Sequence, residues 1–296
     1  MMPHPTVPHF NAFARTTYSQ HGEDGIIGEI LCRLGDSRDD AVRHCVECGA
    51  WDGRHFSNTR ELIEKHGYHA VLIEGDPRRC ATLRANSPHA GVIAVNAFVG
   101  WEGATSLDAI LSSSGLPHEF DFLSIDVDGN DYHLLDSLRV YRPALICIEF
   151  NPSIPNAVEY VQPRDPRIHR GSSARAIASL ASAKGYAVVA ATRCNLFLLQ
   201  RRYLATVGLA GEPALDDVRD DRDATRYIFC GMDGTILLSA PLLLHRHGLE
   251  VCERDFQVLP GWLRRFPADY TALQRAALRL LRGFRRLRRA AGEWRR

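Results

Sequence analysis

Apolar residues along this chain fall in short runs separated by stretches of helical period. The runs are Cys45–Cys48, Ala70–Ile73, Val92–Val95, Phe122–Ile125 and Leu145–Phe150. Between them, residues 57–67, 77–86, 106–112 and 130–139 read as helices. Upstream, Ile26, Ile27, Ile30 and Leu31 make one apolar helical face. Strands alternating with helices predict βαβ units: an α/β fold with a mostly parallel sheet covered on both faces. A further helix at 172–184 leads to two β-like runs, Tyr186–Ala191 and Asn195–Leu199, joined by the polar T-R-C. These predict an antiparallel hairpin closing one edge of the sheet.

The ends read differently. Residues 1–17 carry Pro and His without a period and predict a loosely ordered arm. Residues 206–224 are turn-like and acidic, and 226–245 turns β-like around M-D-G-T. From Leu273 the pattern is helical and basic, with Leu273, Ala277, Leu280, Phe284 and Leu287 as an apolar stripe among arginines. The division expected is an arm and cap helix over 1–40, a nucleotide-binding domain over 41–205, an extension over 206–265 and a basic amphipathic helix over 266–296.

Composition narrows the class. The 296 residues, 45% hydrophobic, suffice for one large domain with additions. A net charge of +1 gives no global field toward nucleic acid. No run of about 18 apolar residues predicts a membrane span, and the N-terminus lacks the apolar core of a signal peptide. Eight cysteines scattered among apolar runs read as buried thiols of a reducing compartment. A cytoplasmic protein is expected.

The stretch V-E-C-G-A-W-D-G poses a choice. Cys45 and Cys48 have the spacing of a zinc knuckle, but no second ligand pair lies nearby. Three apart on a strand, they point to opposite faces, so they read as small buried strand residues. Glu47, Gly49 and Gly53 instead suit a strand end and tight turn that bring backbone close to a ligand. The next strand ends on Glu74, where a carboxylate can accept both hydroxyls of a ribose; the plainer role for Glu74 and Asp76 is to cap the helix after Pro77. E-x-G-x-x-x-G is looser than the G-x-G-x-x-G of NAD enzymes. It matches the loop of S-adenosylmethionine (SAM) enzymes, whose cofactor has no pyrophosphate, and Glu47 could serve its ammonium end.

Two more strands end in acids. Asp126 closes one, with Asp128 and Asp131 after it; Glu149 and Asn151 close the next. Ligands of open α/β sheets lie outside these strand ends. Clustered carboxylates persist by holding a proton, facing a cation or binding a metal. Asp126, Glu149 and Asn151 form a candidate Mg²⁺ site; alternatively Asp126 or Glu149 is a general base on a substrate hydroxyl. Capping by Asp128 or Asn130 and a turn at N-P-S account for part of the polarity. N-P-S-I lacks the second proline and aromatic of amino-methylating loops and follows the wrong strand. Y-S-Q-H-G-E-D reads as a helix start with Ser19 and Glu23, or as a polar flap over a cofactor. His21 and His169 are lesser candidates for a base, and Ser172 or Ser173 caps the following helix.

Taken in order, Y-S-Q-H-G-E-D-G-I-I, V-E-C-G-A-W-D-G-R-H-F-S-N-T, V-L-I-E-G-D-P, S-I-D-V-D-G-N-D-Y and I-C-I-E-F-N-P-S-I-P resemble the FkbM-type SAM-dependent methyltransferases. The resemblance is closest to a largely uncharacterised bacterial branch and covers roughly 17–245. It implies a Rossmann-like methyltransferase fold with a mostly parallel seven-stranded sheet. It puts SAM over Glu47, Gly49 and Gly53, the ribose at Glu74, the adenine near Asn96, and the methyl group and acceptor beside Asp126. Such enzymes mostly methylate hydroxyls of sugars or secondary metabolites. Asp128 stands where the wider family often has Glu, and the stretch after 250 has no counterpart. The expected acceptor is a small molecule or glycan; another nucleotide-dependent Rossmann enzyme and a non-catalytic SAM-binding protein are the alternatives. The basic helix could lie on an anionic membrane or join a homo-oligomer. No aromatic-interleaved groove points to nucleic acid.

Overall fold

In the computed structural model, residues 10–35, 42–244 and 246–293 are described. The chain forms two compact units, Met1–Ala224 and Thr225–Arg296.

The first unit is built on strands β1 (His44–Cys48), β2 (His69–Glu74), β3 (Val92–Asn96), β4 (Phe122–Ile125), β5 (Leu145–Glu149), β6 (Tyr186–Ala191) and β7 (Asn195–Gln200). They form one seven-stranded sheet in the order β3-β2-β1-β4-β5-β7-β6. The first five run parallel, and the β6–β7 hairpin adds antiparallel through β7 against β5. Every residue of β4, β6 and β7 is buried. That two-sided burial is why these strands appear in sequence as continuous apolar runs rather than alternating ones.

Two apolar layers cover the faces. One holds Val46, Cys48, Leu107, Leu134 and Ile177; the other holds Ile26, Leu62, Leu83, Cys45 and Phe122. Cys45 and Cys48 therefore sit in opposite layers, both fully buried, and burial holds both thiols above their ordinary pKa. The helices are α1 (Glu23–Gly35), α2 (Arg60–His66), α3 (Pro77–Asn86), α4 (Leu107–Ser112), α5 (Asp131–Ser137), α6 (Ala174–Ala183) and the short α7 (Leu215–Val218). Their starts follow local chemistry. Asp76 caps α3 by accepting from the Arg78 and Arg79 amides, with Pro77 in the first turn. Ser106 caps α4 and Ser173 caps α6 in the same way. The expected helix at 57–67 begins only at Arg60, because residues 57–59 are held in a turn by Glu47.

Residues 10–13 depart from a loose arm. They form a 3₁₀ turn with Phe10 fully buried against α1, and the Arg33 guanidinium lies 5.0 Å from its ring centroid. Asn11 accepts from the Ala191 amide and donates to the Val218 carbonyl. The sequence hides this because one aromatic in a Pro/His-rich stretch carries no period. Residues 1–9 lie outside the described residues. Likewise, Val207, Leu209, Leu215 and Val218 are buried in this unit, so it runs to Ala224 rather than ending near 205.

The second unit holds two small antiparallel pairs, β8 (Ile228–Cys230) with β9 (Ile236–Leu238) and β10 (Leu242–Leu244) with β11 (Leu249–Val251). The short α8 (Glu253–Phe256) follows, and the chain closes with α9 (Ala272–Glu293). Among the described residues no helix is long and apolar enough to cross a membrane.

Phe10 gives a test of the first unit. Phe10→Ala should cost about 3–5 kcal/mol, the usual result of emptying a buried aromatic site. Urea unfolding reads this directly; a loss under about 0.5 kcal/mol would return the segment to the status of a loose arm.

Candidate active site

The strand order reverses between β1 and β4, so a crevice opens outside their C-terminal ends. Two turns meet there. The β1 turn begins at Gly49, whose amide donates to the Ile73 carbonyl together with that of Ala50. Gly49 has φ +89°, and a Cβ on it would stand 1.7 Å from the Asp126 carbonyl oxygen. Only glycine allows β1 and β4 to end this close together. Gly53 has φ +72°, and a Cβ there would lie 2.3 Å from Leu83 Cδ1, so it serves the packing of α3.

Among the described residues, the non-glycine positions with positive φ are Trp51 (46°), Phe56 (57°) and Asp128 (57°). All three lie in the turns after β1 and β4. For bulky side chains this conformation costs of order 1–3 kcal/mol each, and such strain gathers at functional sites. Trp51 and Phe56 are exposed, with ring centroids 6.0 Å apart, and Arg79 lies 5.8 Å from the Trp51 ring centroid.

Glu47 is nearly fully buried and points into the α1–α2 side of the sheet. Its Oε2 accepts from Ser57 Oγ (2.7 Å) and Thr59 Oγ1 (2.6 Å), and its Oε1 from the Asn58 amide (2.7 Å). Burial lifts its pKa to about 7 against the pull of those hydrogen bonds. Glu47 thus fixes the turn into α2, and one acceptor position on Oε1 is left for anything else.

Glu74 differs. It is buried at the end of β2, where its Oε1 accepts from the Asp76 amide at 2.8 Å. Among the described residues its second carboxylate oxygen takes no hydrogen bond, while capping of α3 falls to Asp76. Asn96, at the end of β3, donates from Nδ2 to the Glu74 and Gly75 carbonyls at 2.9 and 3.1 Å. It pins the end of β2 and keeps its Oδ1 outward. Beyond it stands Phe98, 78% exposed. Its ring lies so close over Gly75 that a Cβ there would be 2.6 Å from Phe98 Cδ1. Sequence reading passed over Phe98; an aromatic just past a strand end, opposite a glycine, was the available signal.

The acidic residues converge in part as expected. Carboxylate oxygens of Asp126, Asp131 and Glu149 all lie within 4.8 Å of one another. Asp131, not singled out from sequence, is the buried member. It accepts from the Val127 and Gly129 amides at 2.8 and 2.9 Å, which closes the turn after β4. Burial and the neighbouring Asp126 charge push its pKa well above the usual carboxylate range. Asn151 is committed to its own loop: Nδ2 donates to the Arg170 carbonyl, and Oδ1 accepts from the Ser153 amide and hydroxyl. The loop after β5 is locked to the turn after β4 by buried Gln162. Its Oε1 accepts from the Arg170 and Gly171 amides, and its Nε2 donates to Asn130 Oδ1. His169 Nδ1 lies 3.1 Å from the Asp128 carbonyl and belongs to the same lock.

Y-S-Q-H-G-E-D docks at this end of the sheet. Glu23 is fully buried; Oε1 accepts from Thr192 Oγ1 and Asn195 Nδ2 at the hairpin, and Oε2 from the His21 amide. Asp24 Oδ2 accepts from the Thr17, Tyr18 and Ser19 amides and from Ser19 Oγ. Glu23 and Asp24 Oδ2 anchor the motif, while Asp24 Oδ1 is buried without a hydrogen-bond partner among the described residues and Gln20 is exposed.

No family model matches this chain, and no curated protein matches it. Among solved structures, precorrin-6y C5,15-methyltransferase from Geobacter metallireducens is similar at 12% identity over 62% of this chain and 90% of its own, with TM-score 0.37. An O-methyltransferase from Bacillus cereus in complex with S-adenosylhomocysteine (SAH) is similar at 19% identity, 58% and 80% coverage, TM-score 0.36. The mitomycin 7-O-methyltransferase is similar at 13% identity, 60% and 55% coverage, TM-score 0.33. The first unit, by its strand order and its antiparallel closing hairpin, has the Rossmann-like methyltransferase fold.

Glu47 sets a pH dependence. Folded, it keeps its proton to about pH 7; unfolded, it releases it near 4.5. Between those values the folded chain binds more protons, so Glu47 makes stability fall as pH rises, by about 2–3 kcal/mol. Glu47→Gln should remove that part of the loss when urea unfolding is compared at about pH 5 and pH 8. Asp131 acts with the same sign, so some slope stays. An unchanged pH difference in Glu47→Gln would mean the carboxylate is ionised in the folded chain.

Proposed function

We propose that this chain is a SAM-dependent methyltransferase of the FkbM type, acting on a hydroxyl of a sugar or small secondary metabolite. The observation that carries the reading is the pairing, at one strand-order reversal, of a ligand end with a proton-handling end. The ligand end is Glu74 with its open carboxylate oxygen, the pinned β2 terminus and the exposed Phe98 ring. The proton-handling end is the cluster of Asp126, Asp131 and Glu149.

SAM would supply a methyl group on a sulfonium, already a good leaving group. Glu74 accepts from ribose hydroxyls, and Phe98 offers a flat apolar face to a base. Glu47 positions the turn through Ser57, Asn58 and Thr59, with one Oε1 acceptor position turned to the ammonium end. Gly49 keeps the floor free of side chain. Alignment of acceptor, methyl carbon and sulfur is the main demand, and removal of the hydroxyl proton is the second. Asp126 takes that proton. Burial and the neighbouring Asp126 charge raise the pKa of Asp131, so the cluster of three carboxyls favours holding a proton. The same oxygens suit a hard cation; Asp126, Asp131 and Glu149 would hold Mg²⁺, which would acidify the acceptor hydroxyl.

Calorimetric titration with SAH tests the ligand end. Wild type should bind, and Glu74→Ala should bind about tenfold or more weakly, a loss typical of a buried charged hydrogen bond. NAD should give no heat. Asp126→Asn should keep SAH affinity yet lose about 100-fold or more in methyl transfer once an acceptor is found. Absence of SAH binding by a folded wild type, or binding of NAD in its place, would overturn the reading.

A further inference from the structure

The second unit carries an apolar surface that its own packing does not use. Helix α9 docks on its unit by one face. Gln274 Nε2 donates to the Trp262 carbonyl at 3.0 Å and Arg285 donates to the Val258 carbonyl at 2.8 Å, with Leu278 and Leu281 half-buried between them. These four positions are spaced as one helical face. A second face, about a third of a turn away, is more apolar. Leu273, Leu280, Phe284 and Leu287 line up along it and are 79%, 76%, 58% and 72% exposed. A helix needing only its own unit would turn this stripe inward. It is held instead by hydrogen bonds on the neighbouring face, with the stripe outward.

Charge selects what covers the stripe. Arg275, Arg279, Arg282, Arg285, Arg286 and Arg288 are all exposed on α9, and no acidic residue appears before Glu293. Arg275, Arg279, Arg282 and Arg286 lie opposite the stripe, while Arg288 borders it. A second copy packed on this face would bring two strongly cationic helices together. An anionic surface gains from the same charges, and long arginine side chains reach headgroups while their stems cover apolar surface. We propose that α9 is an interfacial helix that holds the protein on an anionic phospholipid bilayer, with Leu273, Leu280, Phe284 and Leu287 entering the headgroup–acyl boundary. Among the described residues no helix, α9 included, is long and apolar enough to span, so α9 would lie on the surface. This inference stands apart from the methyltransferase reading, since it uses no residue of the first unit.

The test is vesicle sedimentation of the full-length protein. Wild type should pellet with vesicles of phosphatidylcholine and phosphatidylglycerol and stay in solution with phosphatidylcholine alone. Leu280→Glu/Phe284→Glu should weaken pelleting by about tenfold or more, as burial of two apolar side chains is lost. Arg275→Gln/Arg279→Gln/Arg282→Gln should weaken it at low salt and leave less for added salt to remove. The changed side chains are exposed, and far-UV circular dichroism and urea unfolding check that both units stay folded. No pelleting with anionic vesicles, or equal pelleting with neutral ones, would overturn the proposal. So would a lipid-free dimer that Leu280→Glu/Phe284→Glu converts to monomer in analytical ultracentrifugation, since the stripe would then be a contact between copies.

Discussion

The contact between Gly49 and the Asp126 carbonyl is the constraint on which the site depends. It sets how closely β1 and β4 end together, and any side chain at Gly49 would stand 1.7 Å from that oxygen. The turn after β1 must then leave in a left-handed conformation, and the strained Trp51 and Phe56 follow from its path. The turn after β4 starts at the same point and passes through strained Asp128. Because the two turns are pressed together, the strand ends that flank them come to one crevice.

Two buried carboxylates on this frame do opposite things. Glu47 is held by two hydroxyls and an amide, and it fixes the entry to α2. Asp131 is also held by amides, but it is buried beside the partly buried Asp126 and Glu149, and like charges so close disfavour its ionisation. The first arrangement stabilises a loop. The second brings three carboxyl groups together at the strand ends. Gln162 and Asn130 lock the surrounding loops, so the cluster is held by rigid neighbours.

The sheet was legible in the sequence because fully buried strands leave unbroken apolar runs, and the hairpin because T-R-C interrupts two of them. The opposite facing of Cys45 and Cys48 followed from strand geometry alone. What could not be read was commitment: which polar groups are already spent. Glu47, Glu74 and Asn151 look alike as polar strand ends, yet Glu47 serves the turn before α2, Asn151 serves its own loop, and Glu74 keeps an oxygen open. Asp131 was visible as an acid, but its burial beside Asp126 depends on a turn whose path runs through a left-handed aspartate. Phe10 was missed for a related reason, since a single anchoring aromatic has no periodicity to betray it.

A crystal structure grown with SAH decides whether the ends of β1, β2 and β4 form the proposed SAM site. Ribose hydroxyls are expected on the open oxygen of Glu74, a base against Phe98, and the sulfur on the side of Asp126. Density for SAH elsewhere on a well-ordered chain, or an empty crevice at saturating SAH, would contradict it.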